Sequence, residues 1–113
     1  MNSPLRTPNN QHLNGHTTCG VAKTLKIIGS KWTMFILHTL FEGAKRFGEI
    51  QKELPTISTK TLSPRLQELE IEGIITRKVF AEVPLHVEYS LTSKGKSLEK
   101  IFKDMGDWGE KFR

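Results

Sequence analysis

The chain has 113 residues, which is enough for one domain with a single hydrophobic core. Only 36% of it is hydrophobic, less than in an average globular protein, so we expect a small core or a partner subunit that covers part of it. Its 17 basic and 12 acidic residues give a net charge of +5, which indicates a phosphate-rich partner. A single cysteine excludes a framework of intrachain disulfides. No signal peptide or transmembrane run is recognisable, so we expect the cytoplasm and no membrane partner.

The first 18 residues have the composition of a flexible N-terminal arm. They contain prolines, a glycine and four asparagines but no aromatic residue that would pack against a core. His12, His16 and Cys19 have a spacing that metal ligands can use. No second cluster completes a tetrahedral site, so we predict no metal and no other cofactor.

Two helices are predicted next, and the second is central to the core. Val21, Leu25 and Ile28 recur at helical spacing, and Gly29 ends that short helix. A second helix, 31–42, is apolar on almost every side and begins after Ser30, a good cap. We expect its histidine, His38, inside the core or at its boundary, because no nearby side chain would give it a catalytic role.

Two shorter amphipathic helices joined by a tight turn predict a helix-turn-helix. The first runs from Phe47 to Leu54 and is stopped by Pro55. The second lies within residues 57–73, where one stripe faces the core and short polar side chains point outward. That stripe consists of Leu62, Leu66 and Leu69.

Pro64 decides where the second of these helices begins. If Ser58 were the cap, Pro64 would lie deep in the helix, at a cost of about 3 kcal/mol. If Thr61 is the cap, Pro64 falls in the first turn, where its missing N–H is not needed. We therefore predict the later start.

A β-hairpin follows the helix-turn-helix. Residues 75–80 and 87–91 alternate in polarity with period two, and the link 81–86 contains Pro84. A helix-turn-helix followed by a hairpin is a winged helix. The predicted fold class is α+β and mainly α, a winged helix-turn-helix with extra N- and C-terminal dimerisation helices.

The last element is predicted as one helix that begins after Thr92 or Ser93 as its cap and continues to the end of the chain. Its apolar stripe is too long for so small a core, so residues 93–113 are interpreted as the C-terminal dimerisation helix of a domain spanning 19–113. The first helix would share this seam. The alternative is that the helix folds back on its own domain. The stripe consists of Leu98, Ile101, Phe102, Met105, Trp108 and Phe112.

Net charge alone does not mark the segment from Ser58 to Ser93 as DNA-binding, because it has four basic and five acidic side chains. The distribution is more informative, since the basic groups of the helix lie in its front half. Base reading would fall chiefly to Thr61, Ser63 and Arg65, while flanking cations hold phosphates. The full set of candidate DNA-binding residues is Lys45, Arg46, Ser58, Thr59, Lys60, Thr61, Ser63, Arg65, Arg77, Lys78 and His86.

A specific combination of short motifs covers residues 19–109. It comprises Cys19, Ile27 to Thr33, Lys45 to Phe47, Leu54-Pro55, Ile57-Ser58, Leu62 to Leu66, Leu69-Glu70, Glu72-Gly73, Glu82 to Pro84 and Val87 to Thr92. This combination resembles the HxlR-type transcriptional regulators, which are similar in style to MarR-like proteins. The resemblance implies a homodimeric winged-helix regulator that binds double-stranded DNA at a pseudo-palindromic operator and often responds to oxidants or electrophiles.

Cys19 is the candidate redox-sensing residue. It precedes the first helix, and a cap at Thr17 or Thr18 would put its sulfur near the positive end of that helix, where a thiolate is favoured. The family usually has a proline after this cysteine, where this chain has Gly20, which loosens the helix start. A lone cysteine can also be a small apolar filler, and both interpretations stay open.

There are two alternatives to a DNA-binding regulator, an enzyme and a protein-interaction module. An enzyme is not expected, because the sequence has no glycine-rich phosphate loop, no paired carboxylates in an apolar setting and no nucleophile with a spaced base. The second alternative keeps the winged helix but uses it as a protein-interaction module without DNA binding. A gel shift with and without added salt distinguishes this module from a DNA-binding regulator.

Overall fold

The computed structural model describes residues 19–113. The predicted arm, with His12, His16, Thr17 and Thr18, lies outside the described residues. The chain divides into two units between Lys31 and Trp32, and each is described by itself.

The first unit contains helix α1, Gly20–Ile28. Cys19 is its N-cap, and the thiol sulfur accepts a hydrogen bond from the backbone N–H of Ala22 at 3.4 Å. The predicted cap at Thr17 or Thr18 is therefore wrong, because the sulfur itself occupies the capping position. Val21 and Leu25 are exposed, whereas Ile28 is buried.

The second unit is a winged helix, which confirms the predicted winged helix-turn-helix fold; that the N- and C-terminal helices dimerise stays a prediction. No strand was predicted before the hairpin, but Lys45 and Arg46 form a short one. It pairs with the hairpin and widens it to three antiparallel strands in the order β1-β3-β2. The elements are α2 (Lys31–Leu40), β1 (Lys45–Arg46), α3 (Phe47–Glu53), α4 (Thr59–Ile71), β2 (Ile75–Phe80), β3 (His86–Leu91), α5 (Ser93–Lys96) and α6 (Glu99–Phe112).

The core of this unit joins α2, α3, α4 and the sheet. Helix α2 is central to it, as predicted, although it ends at Leu40 rather than at Glu42. His38 was expected in the core or at its boundary, but its side chain is exposed because it lies on the outer side of α2. The buried apolar side chains are Ile36, Leu37, Leu40, Ile50, Ile57, Leu62, Leu66, Leu69, Ile74, Ile75 and Tyr89.

The C-terminal region is two helices rather than the single helix that was predicted. Thr92 caps the four-residue helix α5, as expected of one of the two proposed caps, and the chain turns before α6 begins at Glu99. Phe102 of α6 packs edge-on against Phe41, just after α2, with ring centroids 5.2 Å apart. None of the helices in residues 19–113 is long and apolar enough to cross a membrane.

A cluster of hydrogen bonds fixes the end of α4. Gly73, at φ 76°, leaves the helix in the left-handed conformation that glycine adopts readily, and the N–H of Ile74 donates to the carbonyl of Leu69 at 2.9 Å. The Thr92 hydroxyl donates to the Gly73 carbonyl at 2.6 Å and accepts from the N–H of Gly95 at 3.1 Å. The Thr92 N–H donates to the Ile74 carbonyl at 3.0 Å. We call these contacts the Thr92 clamp.

Gly95→Ala is predicted to destabilise the protein by on the order of 2 kcal/mol, because the added Cβ would collide with the backbone carbonyl of Ile74 and lie 3.0 Å from Leu91 Cδ2. Gly106→Ala is the matched control, since a Cβ there meets nothing and alanine favours a helix. Urea unfolding at one fixed protein concentration measures the free energy of unfolding of both variants and of the unaltered protein. Equal stabilities for the two variants would contradict the close approach at Gly95.

Candidate nucleic-acid interface

Helix α4 begins earlier than the sequence predicted. Ser58 is its N-cap, and the Ser58 hydroxyl accepts a hydrogen bond from the N–H of Thr61 at 3.1 Å. The predicted start with Thr61 as cap is therefore wrong, and Pro64 lies inside the helix. Because proline has no N–H, the carbonyl of Lys60 lacks its usual partner four residues on. Lys60 is exposed, so water can satisfy that carbonyl.

The two sides of α4 differ sharply. Leu62, Leu66 and Leu69 are 0–2% exposed and fix one side against the core. At 100° per residue the opposite side carries exposed residues, which we call the outward face of α4. The outward face consists of Lys60, Ser63, Pro64, Gln67 and, in the last turn, Ile71, which is 84% exposed.

Pro64 and Gln67 were missed as candidate interface residues. They lie four and seven residues after Lys60, so helical periodicity from that residue would have found both. The predicted DNA-binding residues of this helix all lie between Ser58 and Arg65, in its first turns. Gln67 makes no hydrogen bond with another described residue, which leaves its amide open to a partner.

Three other candidates lie on the flanks of α4, where intramolecular bonds hold them. The Thr61 hydroxyl accepts from the Ser58 hydroxyl at 3.1 Å, and Thr61 is half-buried. Arg65 is also half-buried, with Nη1 3.3 Å from the carboxylate of Glu68. The Thr59 hydroxyl accepts from the side-chain amide of Gln51 at 2.9 Å and so ties α4 to α3.

The two basic candidates of β1 differ in availability. The ammonium group of Lys45 lies 2.6 Å from the Glu53 carboxylate and 3.0 Å from that of Glu42, and these hydrogen bonds, Glu53 first, raise the lysine pKa above its ordinary value. Its charge is thus largely compensated. Arg46 is exposed, its backbone N–H donates to the Glu49 carboxylate at 2.7 Å, and its guanidinium forms no ion pair with another residue of the described range 19–113.

The wing is the hairpin of β2 and β3. Its two basic candidates, Arg77 and Lys78, lie on opposite faces of the sheet, because successive side chains of a strand alternate. Arg77 lines a concavity of about 350 Å³ between α4 and the sheet, together with Ser63, Gln67, Glu70 and Tyr89. On the other face, the ammonium group of Lys78 lies 4.9 Å from the centre of the Phe80 ring and opposite Glu88 in the register. Both basic residues are exposed.

His86 is enclosed by its own wing. Its side chain is only 13% exposed and stacks on Phe80 at a centroid distance of 4.7 Å. Its ring nitrogens lie 4.0 Å from Glu82 and 3.4 Å from Glu88. His86 was predicted to contact DNA, but these neighbours leave its side chain little free surface.

Cys19, the redox candidate, is an exposed free thiol in the first unit. Among residues 19–113, no three histidine, cysteine, aspartate or glutamate side chains converge as metal ligands would.

The fold, together with the family match and the relatives given next, makes this protein a winged helix-turn-helix transcriptional regulator, a class whose members are not enzymes. Residues 27–113 match the family model described as "HxlR-like helix-turn-helix". The chain therefore belongs to the HxlR-like family, as the sequence resemblance implied. Among curated relatives, YdeP of Bacillus subtilis, an HTH-type transcriptional regulator, is 47% identical over 95 residues, which is 84% of this chain and 74% of that protein.

Two solved structures place the same fold in regulators. A protein assigned to the MarR family from Porphyromonas gingivalis W83 superimposes with a TM-score of 0.80 at 34% identity, covering 85% of this chain and 94% of that one. The redox regulator HypR in its oxidised form gives a TM-score of 0.78 at 43% identity, covering 84% of this chain and 98% of the HypR chain.

Proposed function

We propose that this protein is a homodimeric regulator that binds double-stranded DNA by inserting α4 into the major groove. The observation that carries the proposal is the outward face of α4, which is exposed, offers the polar side chains of Lys60, Ser63 and Gln67, and lies opposite a stripe of buried leucines. Such a helix can turn its outward face to base edges while its leucines stay in the core. A chromosomal target makes the cytoplasm the expected compartment.

The geometry suggests a division of roles among the candidate residues. Ser63, on the outward face, is assigned to base edges, and Lys60 to a phosphate. Lys45 and His86 are reassigned to structural roles, since carboxylates already surround them. The remaining flanking groups are assigned to phosphates and sugars, where contacts position the protein without reading sequence. They are Arg46, Ser58, Thr59, Thr61, Arg65, Arg77 and Lys78.

The different surroundings of Lys60 and Lys45 give a test of DNA binding. Lys60→Ala should weaken binding to all duplexes alike and reduce the salt slope of log K by about 1, because one phosphate contact is lost. Lys45→Ala, the matched control, should leave the slope unchanged. Fluorescence anisotropy at several salt concentrations measures both. A reduced salt slope in Lys45→Ala but not in Lys60→Ala would show that the DNA interface lies elsewhere. If the unaltered protein bound no duplex at low salt, the protein-interaction module would be favoured.

The exposed stripe of α6 supports the dimer. Ile101, Met105, Trp108 and Phe112 are 44–65% exposed although they recur on one side of the helix. The side of α6 turned away from Phe102 carries ion pairs between Lys100 and Asp104 and between Lys103 and Asp107, each at 2.9 Å. An aromatic stripe of this kind is expected to be covered by a second subunit.

A two-fold dimer would present its two α4 helices to successive major grooves about one helical turn apart, on a pseudo-palindromic operator. The double variant Met105→Asp, Trp108→Asp should be monomeric, because carboxylates cannot be buried in an apolar seam without a partner. The control Lys100→Asp, Lys103→Asp puts two aspartates on the ion-paired side and should remain dimeric. Light scattering at micromolar concentration distinguishes them, and a monomeric unaltered protein, of 12.9 kDa, would refute the dimer.

Cys19 is proposed as the site of an oxidant or electrophile response. Its sulfur is exposed to solvent and accepts a hydrogen bond from the Ala22 N–H in the first turn of α1. HypR, 43% identical, is a redox regulator. Two Cys19 residues within disulfide reach in the dimer would form a bridge; at a Cα separation above ~7 Å, alkylation or a mixed disulfide is favoured instead.

Diamide or a quinone should change the DNA affinity of the unaltered protein but not that of Cys19→Ser, which retains a capping oxygen and lacks the thiol. Mass spectrometry identifies the adduct or the bridge. Should both proteins respond alike, or neither, Cys19 is structural and the redox proposal fails while DNA binding stands.

A further inference from the structure

We infer that Gln67 reads an adenine in each half-site and is a specificity-determining residue of the interface. This inference rests on the proposed DNA binding by α4 and adds to it the base that this helix selects. Nothing in the family match assigns a role to this position.

The first support is the position of Gln67 on α4. It is exposed, follows Ser63 by one helical turn and lies on the side away from the leucine stripe. At 1.5 Å per residue, it lies about 6 Å along the axis from Ser63. Residues at this spacing on one face can reach neighbouring base pairs of the same groove.

The second support is chemical availability. Among the candidate base readers, Thr61 is bonded to Ser58 and Arg65 is paired with Glu68. The amide of Gln67 has no such partner among the described residues. A free glutamine amide carries a donor and an acceptor side by side, which matches N7 and the N6 amino group of adenine in the major groove.

The third support is the concavity that Gln67 shares with Arg77. No carboxylate lies in ion-pair contact with Arg77 within residues 19–113, so its guanidinium is available to a phosphate at the edge of the same groove. A backbone contact beside Gln67 would fix the distance of its amide from the bases.

Selection of binding sites from a random duplex library tests the inference. The unaltered protein should enrich a half-site with one adenine that Gln67→Ala no longer selects, with discrimination at that base pair falling about 10- to 100-fold. Gln67→Glu should change the preference at the same base pair to cytosine, whose amino group a carboxylate accepts. Glu110→Ala removes an exposed polar side chain from α6, outside α4, and should leave that adenine preference in place.

Three results have different meanings. Loss of one adenine preference in Gln67→Ala alone supports the inference. A site preference that is identical in the unaltered protein and in both Gln67 variants overturns it, while sequence-specific binding by α4 stands. If the unaltered protein enriches no sequence and binds no duplex at low salt, the proposed function fails and the inference fails with it. Circular dichroism confirms that each exposed-site variant is folded.

Discussion

The placement of α4 depends on the Thr92 clamp. A helix of 13 residues is held against the core by three leucines, but leucine packing alone leaves its end free to shift along the helix axis. The clamp removes that freedom by hydrogen-bonding both carbonyls that follow the helix, those of Gly73 and Ile74, to one threonine. The Lys94 ammonium adds a bond to the Glu72 carbonyl at 2.9 Å.

The clamp also links the interface to the C-terminal helices. Thr92 follows β3 directly and caps α5, and the chain then turns into α6, whose Phe102 packs on Phe41. In the proposed dimer, a change in the position of α6 would therefore reach α4 through the Phe102–Phe41 contact and the few hydrogen bonds of the Thr92 clamp. This connection would let a rearrangement of the two subunits alter the separation of their α4 helices.

Much of the second unit was predictable because its strongest signals are periodic. The leucine spacing located α4, Gly73 its end, and the alternation of residues 75–80 and 87–91 the wing. The cost of an interior proline did not predict the start of α4 correctly. The Ser58 cap and the burial of Leu62 stabilise the first turn of the helix. The carbonyl that Pro64 leaves without a partner belongs to Lys60, which is exposed to water. The cost of that proline is thereby reduced.

Residue roles were harder to predict than elements, since they depend on neighbours that only the fold brings together. The sequence alone gives no ion-pair partner for Lys45. In the fold it pairs with Glu53, which is eight residues away and on the next helix. His86 reads as a wing-tip cation, yet Phe80, its cross-strand partner, covers its ring. Gln67 was missed because it is uncharged, and the candidate residues were identified largely from their charge.

The central claim, that α4 lies in the major groove, is tested most directly by methylation protection of a bound duplex with dimethyl sulfate. The account predicts that guanine N7 atoms, which face the major groove, are protected in two patches about 10 base pairs apart on one side of the duplex. Protection confined to adenine N3 in the minor groove, with every guanine N7 still reactive in a stable complex, would contradict it.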